Sequence, residues 1–292
     1  MKLNSDKDIL FRTNLTSSKG NQLKCKDHGR WYKADFLGYE GAAEYIASKI
    51  LSQSNIKSYT TYSLSQIVIP RYAKEFKGCS SPDFLKEGCN LITADKLFKQ
   101  NYSPNYLEQY KKMSLKDKIT DFVTKIEAMT GIKEFGKQLT ALLEFDAFIM
   151  NDDRHFNNIA FIENKDGSYE FAPVFDNGGG FLSDMIYDYP LNKSIHGLMS
   201  SVKAKPFDED FDKQIEICQS LYGSQFLVSK NLDISKELDN VKALYGPEIA
   251  KRINDVVEHS KFMYLEFISD KDFVKDVIEK DLSIEKFELE IE

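Results

Sequence analysis

The hydrophobic pattern changes period along the chain. In ILFRTNL, from Ile9 to Leu15, apolar and polar positions partly alternate, the spacing of a half-buried strand. Thr16 to Asn21 is small and polar and contains Gly20, a turn signature. Leu23 to Lys26 and Arg30 to Phe36 alternate again, and Asp27 to Arg30 predicts a hairpin turn between them. From Gly41 the period becomes helical: GAAEYIASKILSQSN puts Ala43, Ile46, Ala47, Ile50 and Leu51 on one face. Tyr59 to Ile69, rich in Thr, Tyr, Ile and Val, returns to strand spacing.

From about Ser81 onward helical spacing dominates. Leu115 to Met129 and Phe135 to Met150 are both periodic, the second with a long apolar face through Leu139, Leu142, Leu143, Phe145, Ala147 and Phe148. A short polar segment, NDDRHFNN, follows Met150. IAFIE and YEFAPVF then flank NKDGS, whose Asp-Gly pair is a hairpin signal. FDNGGG comes next, and the rest reads as helices and loops, with the acidic tail from Glu266 as an amphipathic helix with a solvated face. The pattern predicts an α+β architecture: a small sheet-rich part at about 1–80, and a larger helical part at about 81–292 that carries a β-hairpin with acidic residues at both ends.

Composition narrows the function. The chain has 292 residues, 42% hydrophobic and 29% charged, with 21 Phe and 15 Tyr, as expected of a folded globular protein. Its net charge of −7 disfavours broad binding to nucleic acid or to anionic membranes. The N-terminus lacks an apolar core of signal-peptide length, and no run approaches the ~18 apolar residues of a membrane span. Cys25, Cys79, Cys89 and Cys218 form no C-x-x-C pair and read as reduced, mostly buried thiols. A cytoplasmic enzyme is the expectation.

The chemistry concentrates between Asn151 and Asp176. Asp153 and Asn158 are five positions apart (158 − 153), and Asp176 lies 23 beyond Asp153 (176 − 153). The order is a long apolar helix, a polar loop, a hairpin, and then Asp followed by glycines. Phosphoryl transfer needs such a set: one carboxylate to orient a hydroxyl and take its proton, and an amide oxygen with a second carboxylate to hold Mg²⁺ against phosphates. Mg²⁺ prefers hard oxygen ligands and takes only one or two carboxylates from a protein.

Two patterns here resemble the HipA-like serine/threonine kinases, which share a fold with protein kinases and phosphatidylinositol 3/4-kinases. N-x-D-R-H-x-x-N is present as Asn151-Asp152-Asp153-Arg154-His155-Phe156-Asn157-Asn158, and P-x-F/Y-D-N-G as Pro173-Val174-Phe175-Asp176-Asn177-Gly178. The resemblance implies a two-lobed kinase-like fold, with Asp153 as catalytic base and Asn158 and Asp176 as Mg²⁺ ligands. Asn151 stands where the general protein-kinase loop has His, and Asn177 displaces the glycine of D-F-G. Both departures point to the HipA-like branch.

WYKADFLGYEGAAEYIASKIL resembles the family's lysine strand and first helix. Lys33 would steady the ATP phosphates with Glu44, 11 positions on, behind it (44 − 33). Glu40 competes for the carboxylate role and Lys24 for the lysine role. Thr16 to Asn21 sits where a phosphate-covering loop would lie, so Ser18 and Gly20 are nucleotide-binding candidates, and Ser17 or Ser18 a candidate autophosphorylation site. GCSSPDFL resembles the adenine-binding hinge and VKAKPF a segment of the helical lobe. About fifteen residues precede the phosphate loop, so the chain looks like the short HipT-type form without the extra N-terminal subdomain. The resemblance therefore implies ATP and Mg²⁺ as cofactors, a protein Ser/Thr acceptor, and an antitoxin-like partner that includes a separate small protein in place of that subdomain. Other acceptors open to this fold are small molecules and lipids, and a nucleotide-binding interaction module without turnover is the reading from another class.

Simpler roles suit the neighbouring residues. Arg154 reads as an internal ion-pair or bracing residue, and His155 as one that packs and hydrogen-bonds to hold the loop. Asp152 reads as a spare carboxylate, and Gly178, Gly179 and Gly180 as backbone-permissive turn residues. Trp31 reads as core packing beneath the sheet.

Overall fold

A computed structural model of the protein describes residues 9–10, 22–69, 74–273 and 285–288. In chain order it contains β1 (Ile9–Leu10), β2 (Lys24–Asp27), β3 (Arg30–Ala34), α1 (Glu40–Ser52), β4 (Ser63–Ile69), β5 (Lys74–Pro82) and β6 (Asn90–Thr93). Then come α2 (Ala94–Asn101), α3 (Pro104–Lys111), α4 (Leu115–Thr130), α5 (Phe135–Phe148), β7 (Ala160–Glu163), β8 (Tyr169–Phe171), α6 (Ile195–Met199), α7 (Phe211–Tyr222) and β9 (Val228–Ser229). The last elements are α8 (Ser235–Tyr245), α9 (Pro247–Met263), β10 (Ile268–Ser269) and β11 (Glu285–Glu288). None of the described helices is long and apolar enough to cross a membrane.

The first sheet runs β1-β2-β3-β5-β4-β11. The β2–β3 hairpin closes through His28 and Gly29, both at positive φ (45° and 76°), as a two-residue primed turn requires. Cys25, Tyr32, Ala34 and Ile67 form a small buried cluster with Leu23 and Phe76 packed against it. The period of two therefore places Trp31 on the opposite face of β3, together with Lys33. Trp31 is half-buried there, with the Lys26 ammonium 5.7 Å from its ring centroid. This corrects the expectation that it packs in the core.

Helix α1 is buried on almost every side, which explains its run of Gly and Ala. A Cβ on Gly41 would lie 2.5 Å from the Gly78 carbonyl carbon, so helix and sheet touch backbone to backbone. Its C-terminal end is tied to the helical lobe. Asn55 bonds the Gln225 carbonyl (2.7 Å) and the Leu227 amide (2.9 Å), and Gln53 bonds the Asp233 carbonyl (2.8 Å) and amide (3.1 Å). One hydrophobic core runs from α1 into α4, α5, α7, α8 and α9. The hairpin β7–β8, with β6 beside it, forms a separate three-stranded sheet. Its turn uses Gly167 at φ 82°, as the Asp-Gly signal predicts.

The tail expectation is corrected over the described residues. After α9 the chain forms a single 3-10 turn and β10, which pairs in parallel with β9, not an amphipathic helix. Glu285–Glu288 returns as β11, parallel to β4 at the sheet edge. Alternation in this tail was hidden by its charge.

Asp35, between β3 and α1, accepts the Gly41 amide (2.6 Å) and the Tyr245 hydroxyl (2.7 Å). Burial, reinforced by the Glu40 carboxylate, pushes its pKa up to about 8. A carboxyl raised in the folded state stabilises the fold fully below its unfolded pKa, and that contribution is lost as pH rises toward 8. Wild-type unfolding free energy is expected to fall over this window by at most about 1.4 kcal/mol per pH unit, the slope of one proton. Asp35→Asn should flatten the fall, as measured by denaturant titrations at pH 5 to 9.

Candidate active site

Lys33 is the hinge of the site. It is almost fully buried on β3, and its ammonium donates to Glu44 Oε1 at 2.6 Å and to Asp176 Oδ1 at 2.8 Å. Burial alone would lower its pKa; the Asp176 and Glu44 carboxylates outweigh that and raise it, so Lys33 stays charged. Glu44 spends its other oxygen on the Asn177 amide, at 2.8 Å. One lysine thus joins the sheet, α1 and the segment after β8.

The competing assignments separate. Glu40 turns back to accept the amides of Phe36 (3.2 Å), Leu37 (2.7 Å) and Gly38 (3.0 Å) at the start of α1. It is a helix-start residue, and Glu44 is the partner of the lysine. Lys24 lies across from Lys33 in the strand register, and its ammonium reaches 3.8 Å from Asp176 Oδ1. Two lysines side by side on paired strands repel each other; here both face one carboxylate.

Asp176 adopts a left-handed conformation, φ 58°. Burial would raise its pKa; Lys24, Lys33 and Arg154 reverse that and hold it well below the usual carboxylate range. Asp176 is therefore an anion at any physiological pH. Asn158 donates its amide nitrogen to the Asp153 carbonyl at 2.9 Å, so its side-chain oxygen is the end that could ligate a metal. One ionised carboxylate and one amide oxygen are a hard-oxygen donor pair that fits Mg²⁺. Among the described residues no group of three or more His, Cys, Asp or Glu side chains gathers around a metal position.

Arg154 holds the two halves together. Fully buried, its guanidinium clamps Asp146 at 2.7 and 2.9 Å, and reaches the carbonyls of Asn158 (3.0 Å) and Phe175 (2.8 Å) and the Asn177 side chain (2.6 Å). Asn158 and the residue before Asp176 therefore hang from one cation, as the bracing role predicts. Asn151 adds to the clamp through Asp146 (2.7 Å) and the Asp153 amide (3.2 Å). His155 differs from expectation. Its backbone braces the loop, donating to the Asp153 carbonyl and accepting from the Asn158 amide, both at 2.8 Å, while neither ring nitrogen makes a hydrogen bond among the described residues. Asp152 is tied to the Tyr189 hydroxyl at 2.5 Å.

The glycines also differ from expectation. Gly178, Gly179 and Gly180 are not at positive φ. A Cβ on Gly179 would lie 2.8 Å from Asp153 Cβ and 2.9 Å from Asn151 Oδ1, so glycine is needed for close approach of two loops. Gly179→Ala is expected to push the Asp153 loop away and to lower at least about tenfold any turnover that depends on Asp153, since a displacement of ~1 Å at a reacting group suffices for that. Steady-state rates beside a melting curve check it.

The remaining expectations divide. Ser17, Ser18 and Gly20 lie outside the described residues. GCSSPDFL begins in β5, and its Phe84 ring packs 5.7 Å from Phe175, next to Asp176. Several contributors were not foreseen: Asp146, Asn177, Tyr39 and Lys205. Tyr39, fully buried, donates to the Phe181 and Leu182 carbonyls (2.6 and 2.9 Å), pinning the start of α1 to the segment after Asp176. Asp146 and Tyr39 had a sequence signal, a polar atom inside an apolar helix face or core run. Lys205 had none.

The fold is a two-lobed, kinase-like α+β fold. It is similar to the crystal structure of a Helicobacter pylori proinflammatory kinase, CtkA, with a TM-score of 0.58 and 16% identity over 90% of this chain and 94% of that one. A HipA chain from Shewanella oneidensis MR-1, solved with HipB and operator DNA, aligns with a TM-score of 0.45 and 11% identity, over 85% of this chain and 59% of its own. No family model matches the sequence, and neither does any curated protein.

Proposed function

We propose that the protein is an ATP- and Mg²⁺-dependent kinase of the HipA-like type that phosphorylates a Ser or Thr hydroxyl on a protein. The observation that carries this is the Lys33 ammonium shared between Glu44 of α1 and Asp176 beyond β8, at 2.6 and 2.8 Å. A cation fixed at the meeting of two lobes, beside an ionised aspartate, suits the phosphates of ATP. Both ends of α1 are tied to the helical lobe, so Glu44 needs no helix movement to reach Lys33.

Asp153 is the base: it takes the proton of the acceptor hydroxyl as that oxygen attacks the γ-phosphorus. Asn158 and Asp176 would hold Mg²⁺, which when bound would neutralise charge on the phosphates. Lys33 draws the α/β-phosphates toward the sheet, and Asn177 and Arg154 keep Asp176 and Asn158 in register. Positioning and charge neutralisation supply most of the rate in such transfers. In the same reading, Ser17 or Ser18 receives phosphate in the loop over the nucleotide and thereby repels ATP. Intact-mass analysis after incubation with Mg-ATP should find phosphate on one of these serines.

Purified protein incubated with γ-labelled ATP and Mg²⁺ tests the class. Label on protein is expected. Label only on an added alcohol or lipid would replace the acceptor, and nucleotide binding without turnover would replace the enzyme by an interaction module.

A further inference from the structure

Asp153 does not stand alone. The Lys205 ammonium lies 3.0 Å from Asp153 Oδ1, although 52 residues separate them. Its strap is held from both sides. Fully buried Gln214 of α7 donates to the Lys205 carbonyl (3.1 Å) and accepts from the Phe207 amide (3.0 Å). Phe207 is buried against Phe122 and against Phe156 of the Asp153 loop, with centroids 5.2 and 5.6 Å apart. Ala204 is buried and bonds the Glu209 carbonyl at 2.8 Å. The Lys205 side chain itself is 34% exposed.

The other cations near the site are placed elsewhere. Arg154 is fully buried and spent on Asp146 and on loop carbonyls. Lys33 is 11% exposed and engaged by Glu44 and Asp176, and Lys24 approaches Asp176 from the sheet. The loop from Asp153 to Asn158 contains no lysine. The His155 ring lies 3.9 Å from the other Asp153 oxygen, beyond hydrogen-bond distance. Among the described residues, lysine charge therefore comes to Asp176 from β2 and β3, and to Asp153 from Lys205.

Granting the phosphotransferase reading above, we infer that Lys205 is a catalytic residue that carries its charge from Asp153 to the transferred phosphoryl group. In the step, the acceptor oxygen bonds to the γ-phosphorus and the bond from that phosphorus to the bridging oxygen breaks. The electron pair leaves with ADP, and the hydroxyl proton passes to Asp153. Asp153 loses its negative charge as it takes that proton, while the phosphoryl oxygens keep theirs. A base within reach of the hydroxyl places Lys205, 3.0 Å from that base, within a rotamer change of those oxygens. The ammonium keeps its proton throughout and stabilises charge in the transition state more than in the ground state.

The test compares wild type, Lys205→Met and Lys205→Arg by calorimetric binding of Mg-ADP with and without aluminium fluoride, a mimic of the planar phosphoryl group, and by turnover of Mg-ATP. Wild type should bind Mg-ADP at least about tenfold more tightly with aluminium fluoride present, as transition-state mimics do. Lys205→Met should bind Mg-ADP alone within about twofold of wild type, lose the fluoride-dependent gain, and turn over about 10²- to 10³-fold more slowly. Lys205→Arg should recover part of both, which a lost packing contact would not explain. If Lys205→Met keeps the fluoride gain, or Mg-ADP affinity and melting temperature fall together with it, the role is overturned. A wild type that binds Mg-ADP but shows neither fluoride gain nor turnover would instead overturn the kinase reading itself.

Discussion

Asp153→Asn is expected to lower phosphoryl transfer about 10²- to 10⁴-fold, the range over which a positioned general base acts, with the fold and Mg-ADP affinity retained. The loop's hydrogen bonds explain why the loss should be so selective. Asp153 contributes its amide to Asn151 and its carbonyl to His155 and Asn158, and none of these uses the carboxylate. Asn has nearly the same shape, so close contact with Gly179 survives. What disappears is the negative charge facing Lys205 and the capacity to accept a proton. Asp176→Asn should behave differently. It removes the anion that Lys33 and Lys24 face, leaving a buried lysine one partner short. Its loss should therefore appear in Mg-ADP affinity as well as in turnover. Isothermal calorimetry beside steady-state rates separates the two variants; equal affinity losses in both would remove the distinction between base and metal ligand.

The fold was legible where side-chain period and turn chemistry agree. The β2–β3 hairpin, α1, α4, α5 and the β7–β8 hairpin all follow from alternation, helical spacing and Asp-Gly or His-Gly turns. The site's polar order was legible for a related reason: Asp153, Asn158 and Asp176 lie on one loop–hairpin–loop stretch, where chain order and spatial order coincide. Other parts depend on pairings that spacing does not encode. Strand β5 is inserted between β3 and β4, so its neighbours come from topology. Trp31 looks like a core residue by type, yet it is half-buried on the Lys33 face of β3, while Tyr32 and Ala34 pack in the apolar cluster on the other face. Lys205 reaches Asp153 only because aromatic packing of Phe207 on Phe156 seats its strap. The glycines after Asp176 look like turn residues, and only three-dimensional crowding shows that Gly179 is a contact surface.

Arg154→Ala is expected to be the most destabilising single change in the helical lobe, by about 3–5 kcal/mol, the cost of leaving one partner of a buried pair unmatched. The guanidinium has no exposed surface, and all its described partners are polar groups that water cannot reach in its place. Removing it strands the Asp146 carboxylate inside α5, near Asn151 alone, and frees the carbonyls of Asn158 and Phe175. Burial already pushes the Asp146 pKa up, with Arg154 pulling against it. Without that cation the carboxyl should rise further and take up a proton. A carboxyl raised in the folded state loses its contribution as pH climbs through the folded pKa. The variant's deficit against wild type should therefore widen from pH 5 to pH 8. Asp146→Asn with Arg154 intact would invert the problem, leaving a buried cation whose charge pH cannot remove, since arginine keeps its proton. Chemical denaturation of both variants across that range provides the check. A deficit for Arg154→Ala that is independent of pH and below about 1 kcal/mol, the scale of an exposed pair, would mean that the clamp is not what joins Asn158 to Asp176.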